Sequence, residues 1–293
     1  MTANCTKVFP VRDYNLAATL TSGQAFRWQA ENDSWVGIIH DRWVRLRTTE
    51  NAIAADTAVP QTDWNWLADY LQTEINFPAV LESFPDDEPM RAAVGDCRGL
   101  RLLRQEPWEC LASFILSSTK QIVQIRQIVG LLCERFGERL ATPVAGARCF
   151  AFPSAIQISD LSETDLRNCK LGFRAPYLLA TAHVVAEGKI DLKKLSGLSV
   201  DAARAELLKL PGVGRKIADC VLLFGYGFDA AFPIDVWVVK ALQQLYFPKR
   251  RASRKRLEKF AATHFGPHAG YAQQYLFHYM RTVRAGYGKN PVR

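Results

Sequence analysis

Leu210-Pro211-Gly212-Val213-Gly214-Arg215-Lys216 is the stretch on which the fold of this 293-residue chain turns. Two glycines flank one small apolar residue between two segments of helical periodicity. Glycine permits a tight turn and lets the backbone approach a ligand closely. The helix that follows points its free N–H groups outward, and those groups with the helix dipole make an anion site suited to a DNA phosphate. The same pattern also serves as a plain structural helix–turn–helix. Lys216 falls in the first turn of the second helix, where the dipole and neighbouring Arg215 disfavour a cation. That field favours the neutral amine, which is a nucleophile; the other reading is a solvated lysine touching phosphate. Asp235 follows 19 positions later, in Phe232-Pro233-Ile234-Asp235-Val236-Trp237. It reads as the N-cap of the next helix, and a carboxylate held there also stabilises positive charge on a nearby sugar.

Working outward, both flanks of the hairpin are helical. Segments starting at Glu106-Pro107-Trp108, running through Ile122, Ile125, Val129 and Leu132, starting at Ser162, and covering Tyr177–Val185 have helical spacing. Further helices are predicted from Ser199 through Leu208, Arg215 to about Phe224, Val236–Leu245, Ser253–His264 and Ala269–Arg284. The N-terminal end differs. Phe26–Trp28, Trp35–His40 and Trp43–Thr48 are short runs rich in aromatic and β-branched residues, with a tight turn at His40-Asp41. Arg45 and Arg47 alternate with Val44 and Leu46, the period of a half-buried strand. Asp63 is placed to cap a helix through Leu67. The expected class is α+β: an N-terminal domain over residues 1–105 with an antiparallel sheet, then a helical domain over 106–293.

Bulk properties narrow the function classes. A net charge of +8 and a pI of about 9.2 favour a polyanionic partner. No run of about 18 apolar residues is present, so no transmembrane helix is expected. The N-terminus lacks an apolar signal core, which points to an intracellular protein: cytoplasmic or nucleoid-associated by default, nuclear or mitochondrial in a eukaryote. Seven cysteines at positions 5, 97, 110, 133, 149, 169 and 220 form no C-x-x-C pair. They read as reduced thiols and argue against zinc; none follows Cys220, so a C-terminal four-cysteine iron–sulfur loop is excluded. The run Lys249-Arg250-Arg251 with Arg254-Lys255-Arg256 is a solvated face or a non-specific attraction for nucleic acid.

The hairpin, read as LPGVGRKIADC and followed by PIDV, resembles the helix-hairpin-helix DNA glycosylase superfamily, and within it the 8-oxoguanine DNA glycosylase family. Other blocks in the same order resemble that family: Ser22-Gly23-Gln24-Ala25-Phe26-Arg27-Trp28, Glu109-Cys110-Leu111-Ala112-Ser113-Phe114-Ile115 with Ser117-Ser118, Leu171-Gly172-Phe173-Arg174-Ala175, and Gly270-Tyr271-Ala272-Gln273 with Phe277. The resemblance implies a monomeric glycosylase with lyase activity on damaged duplex DNA, without an iron–sulfur cluster. By it, Lys216 attacks the sugar C1′ and Asp235 assists. The base leaves the stack first, since its sugar is out of reach inside the duplex. Gly23 matches the glycine whose carbonyl reads the N7 hydrogen of oxidised guanine. Gln273 matches a reader of the flipped base's Watson–Crick edge. Phe277 and Cys220 match the groups that sandwich it. On pattern alone, Phe277 and Cys220 are core residues, Gln273 a solvated helix residue and Gly23 a turn glycine. Phe173 matches an aromatic wedge and Arg174 an arginine contacting the orphaned cytosine. Gly212, Val213 and Gly214 form the phosphate-binding turn, and the carbonyls of Leu208, Leu210 and Val213 match positions that hold an optional monovalent cation.

Three positions depart from the family pattern. Thr119 stands where an asparagine fills the space the base vacates. Gln124 stands where an arginine pairs with the orphaned cytosine. Losing a bidentate arginine removes roughly 1–3 kcal/mol of discrimination, so a relaxed opposite-base preference is expected. Trp237 replaces a histidine near the DNA phosphate; its N–H donates one hydrogen bond but carries no charge. Two other readings stay open here: a glycosylase for another purine lesion, and a non-catalytic DNA-binding module.

Overall fold

β1 (Asn4–Pro10), α1 (Leu16–Thr21), β2 (Gln29–Glu31), β3 (Ser34–Ile39), β4 (Arg42–Thr49) and β5 (Ala52–Gln61) open the chain. The computed structural model describes residues 4–143, 146–249 and 251–287, the side chains of 283–287 excepted. The strands form one antiparallel sheet in the order β1-β5-β4-β3-β2. The predicted alternation holds in β4: Val44 and Leu46 are fully buried, Arg45 is half-buried and Arg47 exposed. Arg47 pairs with Asp56 on β5 at 2.9 Å. His40 takes the left-handed conformation the tight turn demands, φ 55°. The helix α2 (Asn65–Leu71) follows, its first free N–H, that of Asn65, bonded to Asp63 Oδ1 at 2.9 Å. Trp64 rather than Asp63 occupies the cap position.

α3 (Phe77–Glu82) and α4 (Glu88–Cys97) lead into the helical part. It comprises α5 (Pro107–Leu116), α6 (Ile122–Phe136), a two-stranded ribbon β6 (Arg139–Leu140) and β7 (Cys149–Phe150), α7 (Ala155–Ser159), α8 (Glu163–Asn168), α9 (Ala175–Ala186), α10 (Val200–Leu207), α11 (Arg215–Val221), α12 (Val236–Leu245), α13 (Arg254–His264) and α14 (Ala269–Tyr287). Ser162, Ser199, Ser253 and Asp235 cap their helices through their side chains. α11 does not run regularly to Phe224: it passes into one π-helical turn over Leu222–Tyr226. No described helix is long and apolar enough to cross a membrane.

Two apolar cores meet at the segment 22–28. The sheet core gathers Phe9, Leu20, Trp28, Val44, Leu46, Ile53, Leu67 and Leu71. The helical core includes Phe26, Phe114, Leu132, Leu178, Val221 and Tyr275. Phe26–Trp28 is therefore not a strand, contrary to the sequence pattern. Its alternating aromatics enter two different cores: Phe26 meets Phe114 edge-on at 5.7 Å, while Trp28 Nε1 donates to Tyr70 Oη at 2.8 Å. Gln24, fully buried, supplies the hydrogen bonds a ladder would have given. Its Nε2 donates to the carbonyls of Thr19 and Arg101, and its Oε1 accepts from Leu103 N–H at 2.8 Å.

Candidate active site

The hairpin joins α10 to α11, and its two glycines have different reasons. Gly212 sits at φ 75°, and a Cβ there would lie 2.7 Å from Tyr177 Cβ. Gly214 is the extended N-cap of α11 at φ −94°, with open space where its Cβ would be. No side chain caps α11, so its first N–H groups face outward. Thr181 Oγ1 donates to the Pro211 carbonyl at 2.9 Å and fixes the turn on α9. A buried pair, Arg204 Nε to Asp219 Oδ1 at 2.7 Å, ties α10 to α11.

This frame holds Lys216 at one side of a cavity of about 390 Å³. Its Nζ donates to Ser117 Oγ at 3.1 Å and lies 5.1 Å from the centre of the Phe114 ring. Asp235 lines the same cavity while also capping α12: its Oδ1 accepts from Trp237 N–H at 2.9 Å and Val238 N–H at 2.8 Å. Capping uses one carboxylate oxygen, and among the described residues the other has no hydrogen bond or ion pair. Cys220, one turn beyond Lys216, is buried, and burial pushes its thiol up to about 12 against the pull of Lys216. It is a neutral wall at physiological pH.

Gly23, Gln273, Phe277 and Trp237 complete the wall. Gly23 sits at φ 82°, and a Cβ there would lie 2.6 Å from Ile122 Cδ1. Its position is held by the neighbouring Ser22 carbonyl, which accepts from Gln274 Nε2 at 3.0 Å. Gln273 is only 4% exposed, and its Oε1 is buried with no hydrogen-bond partner. An orphaned buried carbonyl on a cavity wall is an unfilled acceptor. Sequence reasoning left out Ser117, Ile122, Lys120 and Arg281, which also line the cavity. Ser117 was within reach, because it belongs to the quoted Ser117-Ser118 block; Arg281 lies on the predicted α14 face one turn beyond Phe277.

Thr119, Gln124, Phe173 and Arg174 lie apart from the cavity wall. Phe173 is 55% exposed. Arg174 is buried: its Nη2 donates to Thr119 Oγ1 at 2.6 Å, and its guanidinium lies 4.1 Å from the Phe173 ring centre. Gln124 is exposed, and its Oε1 accepts from Gln121 N–H at 3.0 Å, closing the capping box of α6. Trp237 carries Lys240 Nζ 4.8 Å above its ring. Leu208 closes α10, while the Leu210 carbonyl accepts from Val213 N–H at 3.1 Å. In the basic run, Arg254 donates to the Ile234 carbonyl at 2.8 Å and pairs with Glu258, steadying the segment before Asp235. Lys249, Arg251 and Lys255 are exposed; Arg250 lies outside the described residues.

Two family models cover most of the chain. Residues 8–111 match the N-terminal domain of 8-oxoguanine DNA glycosylase, and residues 112–267 match the HhH-GPD superfamily of base excision DNA repair proteins. The chain belongs to the 8-oxoguanine DNA glycosylase family. A probable N-glycosylase/DNA lyase of Methanothermobacter thermautotrophicus is 33% identical over 93% of this chain and 95% of its own length. The solved structure of MBOgg1 with a low-affinity DNA ligand superposes with a TM-score of 0.90 at 32% identity, covering 97% of this chain and 98% of that one. The Clostridium acetobutylicum 8-oxoguanine glycosylase/lyase, solved with duplex DNA bearing cytosine opposite 8-oxoguanine, gives 0.88 at 28% identity over 97% and 100%. The family membership and the α+β class expected from the sequence both hold.

Proposed function

We propose that this chain excises 8-oxoguanine from duplex DNA as a combined N-glycosylase and lyase, with Lys216 as nucleophile and Asp235 as its electrostatic partner. The supporting observation is that Lys216, Asp235 and the unpartnered carbonyl of Gln273 line one cavity. Its volume of about 390 Å³ suits a single flipped base. The Lys216 amine lone pair forms a bond to C1′ as the C1′–N9 bond breaks, and the base leaves with the electron pair. The free oxygen of Asp235 stabilises positive charge on the sugar meanwhile. Loss of a proton and opening of the sugar ring give a Schiff base, from which the 3′ phosphate leaves by β-elimination. Gln273 and the backbone at Gly23 read the base, while Phe277 and Cys220 hold its faces. Phe173 enters the stack, and the Gly212–Gly214 turn takes a phosphate.

The enzyme acts as a monomer on chromosomal DNA inside the cell. It carries no iron–sulfur cluster, since no cysteine follows Cys220. The carbonyls of Leu208, Leu210 and Val213 are neutral oxygen donors whose chemistry suits a weakly held monovalent ion at the turn. Borohydride reduction in the presence of an 8-oxoguanine duplex traps the Schiff base as a covalent complex. Lys216→Gln is expected to abolish that band; its persistence would remove Lys216 from the role of nucleophile.

A further inference from the structure

Among the described residues, the charged side chains lining the cavity are Lys120, Lys216, Asp235 and Arg281. The lysine–aspartate chemistry uses two of them and leaves Lys120 and Arg281 unexplained. Arg281 stands on α14 one turn beyond Phe277, and its guanidinium lies 5.3 Å from the centre of the Phe277 ring. It is half-buried, and among the described residues it forms no hydrogen bond or ion pair. Arg126 on α6, whose Nε is buried without a partner, adds positive charge on the same side. Burial and then Arg126 both pull the Arg281 guanidinium below its ordinary range, while Asp235 acts the other way. Two neighbouring, partly buried cations are unfavourable in the free protein even with Asp235 acting on one of them. An arrangement of that kind is stabilised when negative charge arrives.

The reaction brings such charge into this cavity. When the C1′–N9 bond breaks, the displaced electron pair goes to the purine, which departs as an anion with its charge spread over the ring and its exocyclic oxygens. Lys216 is consumed in the new bond to C1′. Asp235 has the wrong sign, Gln273 is neutral, and Lys120 lies in the turn after α5, whereas Arg281 is the cation set against the Phe277 ring. Arginine is a fixed cation with five donors and no acceptor, so it stabilises an anion without transferring a proton. We propose that Arg281 is a further catalytic residue, whose guanidinium holds the negative charge that develops on the departing oxidised purine. This inference rests on the reading of the chain as an 8-oxoguanine glycosylase.

The test is single-turnover base release by the full chain at saturating enzyme. The substrates are duplexes carrying 8-oxoguanine and a series of other 8-oxopurines that differ in N9 acidity. Wild type is compared with Arg281→Leu, which keeps an apolar stem, and Arg281→Lys, which keeps the charge. Arg281→Leu should slow release of 8-oxoguanine by roughly 100-fold, the scale of losing one donor aimed at developing charge. The deficit should grow as N9 becomes less acidic, because a poorer leaving group carries more charge at the transition state. Arg281→Lys should recover about tenfold of the loss. Affinity for a duplex with a tetrahydrofuran abasic analogue, which has no base, should stay within about threefold and also reports that the variant is folded. An unchanged rate in Arg281→Leu overturns the proposal. So does a deficit of equal size across the series, or one that appears as lost affinity for the abasic duplex, since either makes Arg281 a phosphate or packing contact. A wild-type chain inert on 8-oxoguanine overturns the assigned function as well, whereas an active wild type with an unaltered leucine variant overturns only the role of Arg281.

Discussion

Gln273 lines the cavity at a cost to the stability of the free protein. Its Oε1 is buried and unpartnered, a state that costs about 1–3 kcal/mol in the free protein. Gln273→Leu removes that cost while keeping the volume, so unfolding stability should stay level or rise by about 1 kcal/mol. Base release from 8-oxoguanine should nevertheless fall by about tenfold or more, because a hydrogen bond to the flipped base is gone. A variant that loses stability and activity together would make Gln273 a core residue and nothing more. Arg174 supports a second expectation. Its guanidinium is drawn onto Thr119 Oγ1, and Gln124 spends its carbonyl on a helix cap. Neither leaves a free bidentate donor for an orphaned cytosine. Excision rates opposite the four bases should therefore lie within about tenfold of one another, against the larger ratio that 1–3 kcal/mol of direct readout provides. A cytosine preference above about 100-fold would show that Arg174 swings out and reads the base. None of this was legible from patterning. Periodicity put Gln273 on a solvated face, and only the block that surrounds it suggested a ligand.

At the scale of elements, the hairpin pairs a glycine required by the fold with one for which the fold supplies no steric reason. Gly212→Ala places a β-carbon at positive φ and 2.7 Å from Tyr177 Cβ, so it should cost about 2–3 kcal/mol of stability. Gly214→Ala meets nothing and keeps an ordinary extended backbone. Its stability cost should stay under about 1 kcal/mol, yet DNA affinity should drop by roughly tenfold, because the new methyl occupies the approach to the α11 N–H groups. Chemical denaturation and duplex binding on the two variants read these effects separately. Equal DNA binding in Gly214→Ala would move the phosphate elsewhere. Helix starts were legible because serine or aspartate caps precede them, as at Ser162, Ser199, Ser253 and Asp235. β5 went unread because Ala52-Ile53-Ala54-Ala55-Asp56 is too rich in alanine to look like a strand; it forms because β1 and β4 pair with it on both sides. Phe26–Trp28 misled for the converse reason: two aromatics at period two served two cores, not one sheet face.

On the scale of the whole molecule, the cavity draws on Gly23 and Phe26 beside the sheet and on α5, α6, α11, α12 with its cap Asp235, and α14. No single segment carries it, and so the ordered blocks spread over the sequence had to be taken together before any one of them had a meaning. The chain as a whole also has a net charge of +8. Lys120 lines the cavity and Lys240 covers Trp237 on its wall, so part of that charge stands at the cavity. If roughly three to four phosphates are neutralised, the logarithm of the binding constant should fall with the logarithm of salt at a slope of about −3. Between 50 and 200 mM salt that amounts to about sixty-fold weaker binding of an undamaged duplex. The chemical step should behave differently. Lys216 and Asp235, the proposed catalytic pair, line a cavity that a flipped base would fill, and partly buried charges are screened much less than exposed ones. Single-turnover base release with enzyme in excess of its dissociation constant should hence change by less than about twofold over the same range. Affinity insensitive to salt would mean that the net charge has no part in DNA binding, and a chemical rate that fell in step with affinity would mean that the cavity stays open to solvent during catalysis.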